Sequence, residues 1–185
     1  DLKKIKLKLD PLNFKIYTKT NGTTLFLSKR SLPLEYVKSE FSIISLLKNK
    51  LSISNIEVNS KSLLLNDFIS FVRLASGKPE LFLLEKIVKQ GNIVINLRLN
   101  LDEDGKVKND YKINGLVENG NIDFLSQDKL EKVNFDFNIK KDDYIFNQIN
   151  FSCKNRKFNS EKLNSKKKKN IFLVSGSVNN NQSSL

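Results

Sequence analysis

The sequence predicts a mainly β fold: a long antiparallel twisted sheet or groove into which one helical hairpin is inserted. Three observations predict it. From residue 93 to 178, apolar residues fall on every second position in run after run, the spacing of strands with one buried and one wet face. Short polar sequences such as Asp104-Gly105 and Asn119-Gly120 separate the runs and favour tight hairpin turns. Between residues 66 and 90 the period becomes that of a helix.

Residues 1–65 are expected to be an N-terminal β segment. Ile5 to Leu9, Phe14 to Thr18 and Thr24 to Leu27 look like short strands, the last two joined by Asn21-Gly22. Lys3, Lys4, Lys6 and Lys8 interleave with Ile5, Leu7 and Leu9, as on the wet side of a half-buried strand. Leu32 to Val37 suits another strand. Phe41 and Ile43 start a further segment that breaks around Leu46 to Lys50, and Leu51, Ile53, Ile56 and Val58 resume it before Leu63 to Leu65.

Residues 66–90 read as the helical hairpin. Phe68, Ile69, Phe71, Val72 and Ala75 follow helical spacing behind Asn66 and Asp67, which are suited to cap the N-terminus. Leu81, Leu84, Ile87 and Val88 repeat the spacing after Pro79, with Gly77 as the break and Gly91 as a C-terminal stop. The apolar stripe is expected to pack on the sheet; a plug or gate over a groove is the functional alternative.

Residues 91–178 form the predicted antiparallel meander. Ile93, Ile95, Leu97, Leu99 and Leu101 alternate with Asn92, Val94, Asn96, Arg98 and Asn100. After Asp104-Gly105 come Tyr111, Ile113, Gly115 and Val117, a type I′ turn at Asn119-Gly120, then Ile122 and Phe124. Val133, Phe135, Phe137 and Ile139 lead through a turn at Asp142-Asp143 to Tyr144 and Phe146. Ile149, Phe151 and Cys153 continue to a turn at Asn155-Arg156-Lys157, and residues 179–185 read as a polar tail or linker.

Composition narrows the chemistry. The chain has no His, Met or Trp and a single Cys, so the usual metal ligands and general bases are missing. Cys153 lies in the apolar phase of its strand and reads as a small buried residue. Neither an enzyme nor a metal or other cofactor is expected. Asn100, Asp102, Asp104 and Gly105 open like a calcium loop, but Tyr111 stands where the bidentate Glu belongs. Ser76-Gly77-Lys78 imitates a phosphate loop, with Val72 and Pro79 at positions that need Gly and Ser or Thr. Asp142 with Asp143 reads as turn chemistry rather than acid/base catalysis.

The net charge of +12 raises nucleic acid as a partner, but the lysines are interleaved and only four arginines occur, Arg30, Arg73, Arg98 and Arg156. Base readout favours Arg forks, so no nucleic-acid partner is expected. The dense block Lys166 to Lys169 reads as a solvated turn, with anionic lipid headgroups as its second reading. The apolar runs stop after a few residues, far below the roughly 20 that cross a bilayer. The chain begins at Asp1 without a Met and is expected to be a segment of a longer protein, with any leader or anchor upstream.

Three stretches resemble a known family: Phe41 to Val58, in which Leu46 and Leu47 precede Leu51, Ile53, Ile56 and Val58; Gly91 to Gly105; and Tyr111 to Ile122. Together they resemble the AsmA-like superfamily of bacterial envelope proteins, in the style of its YhdP and TamB branches, over about residues 32–178. The resemblance implies a repeating β-groove that crosses the periplasm from an inner-membrane anchor lying outside this segment. It implies an apolar lining that carries phospholipid acyl chains toward the outer membrane, and neighbouring β-groove segments of the same chain as partners. The lining would comprise Ile93, Ile95, Leu97, Leu99, Leu101 and Ile113, with Val133, Phe135, Phe137, Ile139, Tyr144 and Phe146. The rival expectation is a closed β-sandwich serving as a scaffold or adhesion domain without ligand.

Overall fold

The computed structural model describes residues 5–28, 30–50, 53–124, 128–169 and 171–180. Lys3, Lys4 and Leu51 of the expected strands, and residues 181–185 of the expected tail, lie outside them. Strands β1 (Ile5–Asp10) and β2 (Lys15–Asn21) form a hairpin, and β3 (Thr24–Leu27) precedes the long β4 (Arg30–Ser42). The strands flanking Asn21-Gly22 do not pair with each other; β2 and β3 instead lie end to end along β4. Helix α1 (Ile43–Leu47) follows, its first turn capped by the Ser42 hydroxyl accepting from the Ser45 N–H at 3.2 Å. The strand expected to start at Phe41 and Ile43 is thus the end of β4 followed by one helical turn.

After β5 (Ile53–Ser60) and β6 (Leu63–Leu64) come α2 (Leu65–Ser76) and α3 (Glu80–Ile87). Gly77 ends α2 in the left-handed conformation at φ 65°, where a residue without Cβ avoids strain. Two expected caps are corrected. Leu64 is the residue preceding α2, so Asn66 and Asp67 lie within its first turn, where Asp67 favours the helix dipole instead of capping it. Helix α3 ends at Ile87, and Gly91 sits inside the next strand at φ 128°.

The remaining strands are β7 (Val88–Asn100), β8 (Lys112–Asp123), β9 (Lys129–Lys140), β10 (Asp143–Cys153), β11 (Arg156–Lys168), β12 (Ile171–Gly176) and β13 (Asn179–Asn180). Tyr111 and Phe124 flank β8 rather than belonging to it. The turn after β9 is Lys141-Asp142, with Asp143 already in β10; the next turn is Lys154-Asn155, whose two residues have positive φ. Lys166 to Lys168 are the exposed end of β11, not a turn; only Lys169 turns.

All thirteen described strands join one antiparallel sheet that is not closed into a barrel, with β1 and β12 at the ends of the strand order and β5 next to β7. The strands on either side of the helical pair therefore belong to the same sheet. Register carries one inner row across ten strands. It runs Ile5, Thr20, Val37, Val58 and Leu97, then Ile113, Ile139, Tyr144, Ser165 and Val174. Because side chains alternate across a strand, the adjacent register row lies on the outer face. That row is Lys6, Lys19, Lys38, Glu57 and Arg98, then Lys112, Lys140, Asp143, Lys166 and Leu173. One face of the sheet is largely apolar and the other is charged.

The largest departure from the sequence reading is at Asn119-Gly120. Here β8 does not turn; it bulges, with Asn119 at φ 53° and one extra residue opposite β9. Lys132 in β9 and Gln148 in β10 also have positive φ beside shifts in register. Each is followed two residues later by an Asn that stitches the bulge. Asn134 Nδ2 donates to the Lys132 carbonyl at 2.6 Å and Asn150 Nδ2 to that of Gln148 at 2.9 Å. The Lys132 N–H in turn donates to Asn121 Oδ1, and the Asn119 N–H to Asn134 Oδ1. A band of bulges crosses the sheet and raises its local twist. An αL-tolerant Asn beside Gly serves a bulge as readily as a type I′ turn, and the local sequence does not separate the two.

The core lies where α2 packs on the inner face. Leu32, Leu34, Leu63, Leu65, Ile69 and Val88 are buried there with Ile93, Ile95, Val117 and Phe137. Gly115 leaves space for Phe137, since a Cβ on it would meet the Phe137 ring at 2.5 Å and the Val94 carbonyl oxygen at 2.3 Å. Away from the helices the same face thins out. On edge strand β1, Ile5, Leu7 and Leu9 are exposed, not half-buried as expected, because no described strand or helix lies beyond them.

Candidate functional site

Between the helical pair and strands β7 to β10 lies a cavity of about 380 Å³ with a wholly apolar lining. Eight of the twelve residues expected to line a groove border it: Ile93 and Ile95 from β7, Ile113 from β8, Val133, Phe135, Phe137 and Ile139 from β9, and Phe146 from β10. The strand period brings them together. Ile95 pairs with Gly115, Gly115 with Phe137 and Phe137 with Phe146, so a single register row crosses the floor. Phe135 stands edge-on to Phe146, with ring centroids 5.7 Å apart, and tilted to Phe137 at 6.2 Å, arrangements that suit aromatic quadrupoles.

The other four expected residues lie elsewhere. Leu97 and Leu99 continue the inner face of β7 beyond the cavity, half-buried opposite Val58 and Ile56. Tyr144 extends the face toward the far edge and stacks edge-on against Phe172 at 5.8 Å. Leu101 lies just past β7 and makes an isolated bridge to Val107. Cys153, expected to be buried, is half-buried at the end of β10.

The roof of the cavity is missing from the expected lining. Leu65, Phe68, Ile69 and Val72 of α2 and Leu84 of α3 supply it, with Val88, Val117, Gly120 and Ile122 completing the walls. The helical stripe of Phe68, Ile69 and Val72 carried that signal, since a stripe that packs on an apolar sheet must border whatever space it leaves. Polar contacts hold the roof. Glu85 of α3 accepts from the Ser70 hydroxyl and from Arg73 Nε at 2.6 Å, tying α3 to α2, and Arg30 pairs with Asp67 at 3.1 Å, tying α2 to β4. The Ser70 bond, with Arg73 beside it, holds the Glu85 carboxyl below the usual carboxylate range. Among the described residues only apolar side chains line the cavity, an arrangement that suits binding of apolar chains.

On the outer face Glu57 is the electrostatic centre. Burial alone would raise its pKa, but hydrogen bonds from Tyr36 Oη at 2.8 Å, Arg98 Nη2 at 3.0 Å and Lys38 Nζ at 3.2 Å outweigh it and hold the carboxyl at about 2, against an ordinary 4.5. A depressed folded-state value stabilises the fold above the unfolded pKa, and that contribution fades as pH falls from 4.5 toward about 2. Glu57→Gln is expected to lower stability at pH 7 by on the order of 2 kcal/mol and to lose little further from this site in acid. Urea unfolding at pH 7 and pH 3 checks this; parallel acid limbs for the two proteins would refute it.

A scan against protein-family models, a search of curated proteins and a search of solved structures each return no match.

Proposed function

We propose that this chain is a groove segment of an AsmA-like envelope protein that carries phospholipid between the inner and outer membranes. In this reading the full-length protein is periplasmic and held at the inner membrane by an anchor outside the segment. The observation that carries it is the wholly apolar cavity under the helical pair, opening onto an inner face that stays largely apolar across the strand order. Its 380 Å³ falls within the range of ligand pockets, roughly 300–1,000 Å³. Each acyl methylene removed from water contributes about 0.8 kcal/mol, so shape and greasiness suffice to hold a lipid without a polar site.

A closed sandwich requires a second sheet over this face. Among the described residues the strands form one sheet, and the helical pair covers only its middle, which favours the groove. No described helix is long and apolar enough to cross a membrane. Native mass spectrometry with lipid extraction of the chain purified from cells tests the proposal. Co-purifying phospholipid is the expected result, and a lipid-free chain with a filled, rigid core would overturn it.

A further inference from the structure

We propose that the outer face of the sheet docks on an anionic phospholipid bilayer, independently of what the groove carries. The ten-strand outer row has seven cations and two acids, ending in Leu173. Neighbouring strands are about 4.8 Å apart, so the charged part of the row, from Lys6 to Lys166, is a net positive strip about 38 Å long. The only arginine in it, Arg98, and Lys38 are both engaged by Glu57. Lys6, Lys140 and Lys166 are exposed and make no ion pair among the described residues.

Three features select a bilayer over a soluble polyanion. The free cations are lysines, compact point charges suited to a diffuse headgroup layer rather than forks for bidentate recognition. Of the row's aromatic neighbours, Tyr36 has Lys19 at 4.7 Å and Lys38 at 4.6 Å from its ring centroid, and Tyr17, beside Lys19 in β2, is half-buried, so neither ring is a bare platform for a stacked base. Beside Lys166 and Lys168 the same face presents Ile171, 65% exposed, and Leu173, 51% exposed. Aliphatic side chains flanked by lysines enter the headgroup boundary while the ammonium groups stay at its surface.

The test is co-sedimentation of the purified chain with vesicles of equimolar phosphatidylglycerol and phosphatidylcholine, and with vesicles of phosphatidylcholine alone. Binding to the anionic vesicles only, lost as salt rises from about 0.1 M to about 1 M, is expected. Combining Lys6→Gln, Lys140→Gln and Lys166→Gln should weaken it on the order of a hundredfold. The same loss of charge through Lys61→Gln, Lys78→Gln and Lys108→Gln, away from the strip, should weaken it less than tenfold. Circular dichroism and urea unfolding establish that both variants are folded. Ile171→Ser with Leu173→Ser should also weaken vesicle binding, which a purely electrostatic contact would not do. Equal loss in the two lysine variants, equal binding to neutral vesicles, or tighter binding of a single-stranded oligonucleotide at the same salt would each overturn the proposal.

Discussion

Phospholipid is expected to co-purify with the wild-type chain and to be lost when Phe135 is replaced by Asp. Phe135 is half-buried on the cavity floor against Phe137 and Phe146, so a carboxylate there would face hydrocarbon with no partner. Such a group costs several kcal/mol against an acyl chain. The backbone pairs on both sides of β9 remain, so the sheet should still form. Leu97→Asp extends the test to the open part of the face, and Asn96→Asp, on the outer side of the same strand, is the control that should keep its lipid. Lipid content by mass spectrometry and abundance by quantitative blotting are read together. Normal lipid in both inward variants would sink the groove reading, and loss of the protein itself would make these positions ordinary core.

The second large effect is on stability. Leu34 has no solvent exposure and sits in the cluster with Leu32, Leu63, Leu65 and Ile69. Leu34→Ala is expected to cost about 3–4 kcal/mol, the lost transfer energy plus a cavity that helix and sheet cannot both close around. Leu12, 91% exposed in the turn between β1 and β2, should tolerate the same change within about 0.5 kcal/mol. Urea midpoints of the two variants decide this. A small effect at Leu34 would mean that the helical pair shifts to fill the space.

Period and turn chemistry made the architecture readable: the mainly β fold, the helical break at Gly77 and the inward phase of Ile93 to Leu99 and Val133 to Ile139 all follow from spacing. What was unreadable concerns partners distant in sequence. Whether Asn119-Gly120 reverses the chain depends on β9 lying alongside with its own extra residue at Lys132, and no local rule states that. Asn66 and Asp67 have the right chemistry to cap a helix, yet the cap position falls on Leu64, before both of them, because Leu65 is drawn into the core as the first helical residue. The outer row of lysines is invisible along the chain, since its members are ten or more positions apart and meet only through register. The floor residues share a strand phase, and the helical stripe of Phe68, Ile69 and Val72 pointed to a roof without saying which strands it would cover. Strand alternation declares a face, whereas what lies opposite that face is decided by tertiary packing.

The band of bulges has a consequence for how such a sheet tolerates insertion and deletion. Val117 and Gly120 both face inward although three positions separate them, and Asn119 is the extra residue. An in-frame deletion of Asn119 would restore plain alternation and leave every lining side chain on its own side; what changes is the local bend. A codon gained or lost elsewhere in β8 would instead turn one end of the strand inside out. Lineages can therefore acquire or discard bulged residues and alter the curvature of the sheet while inheriting its apolar face unchanged.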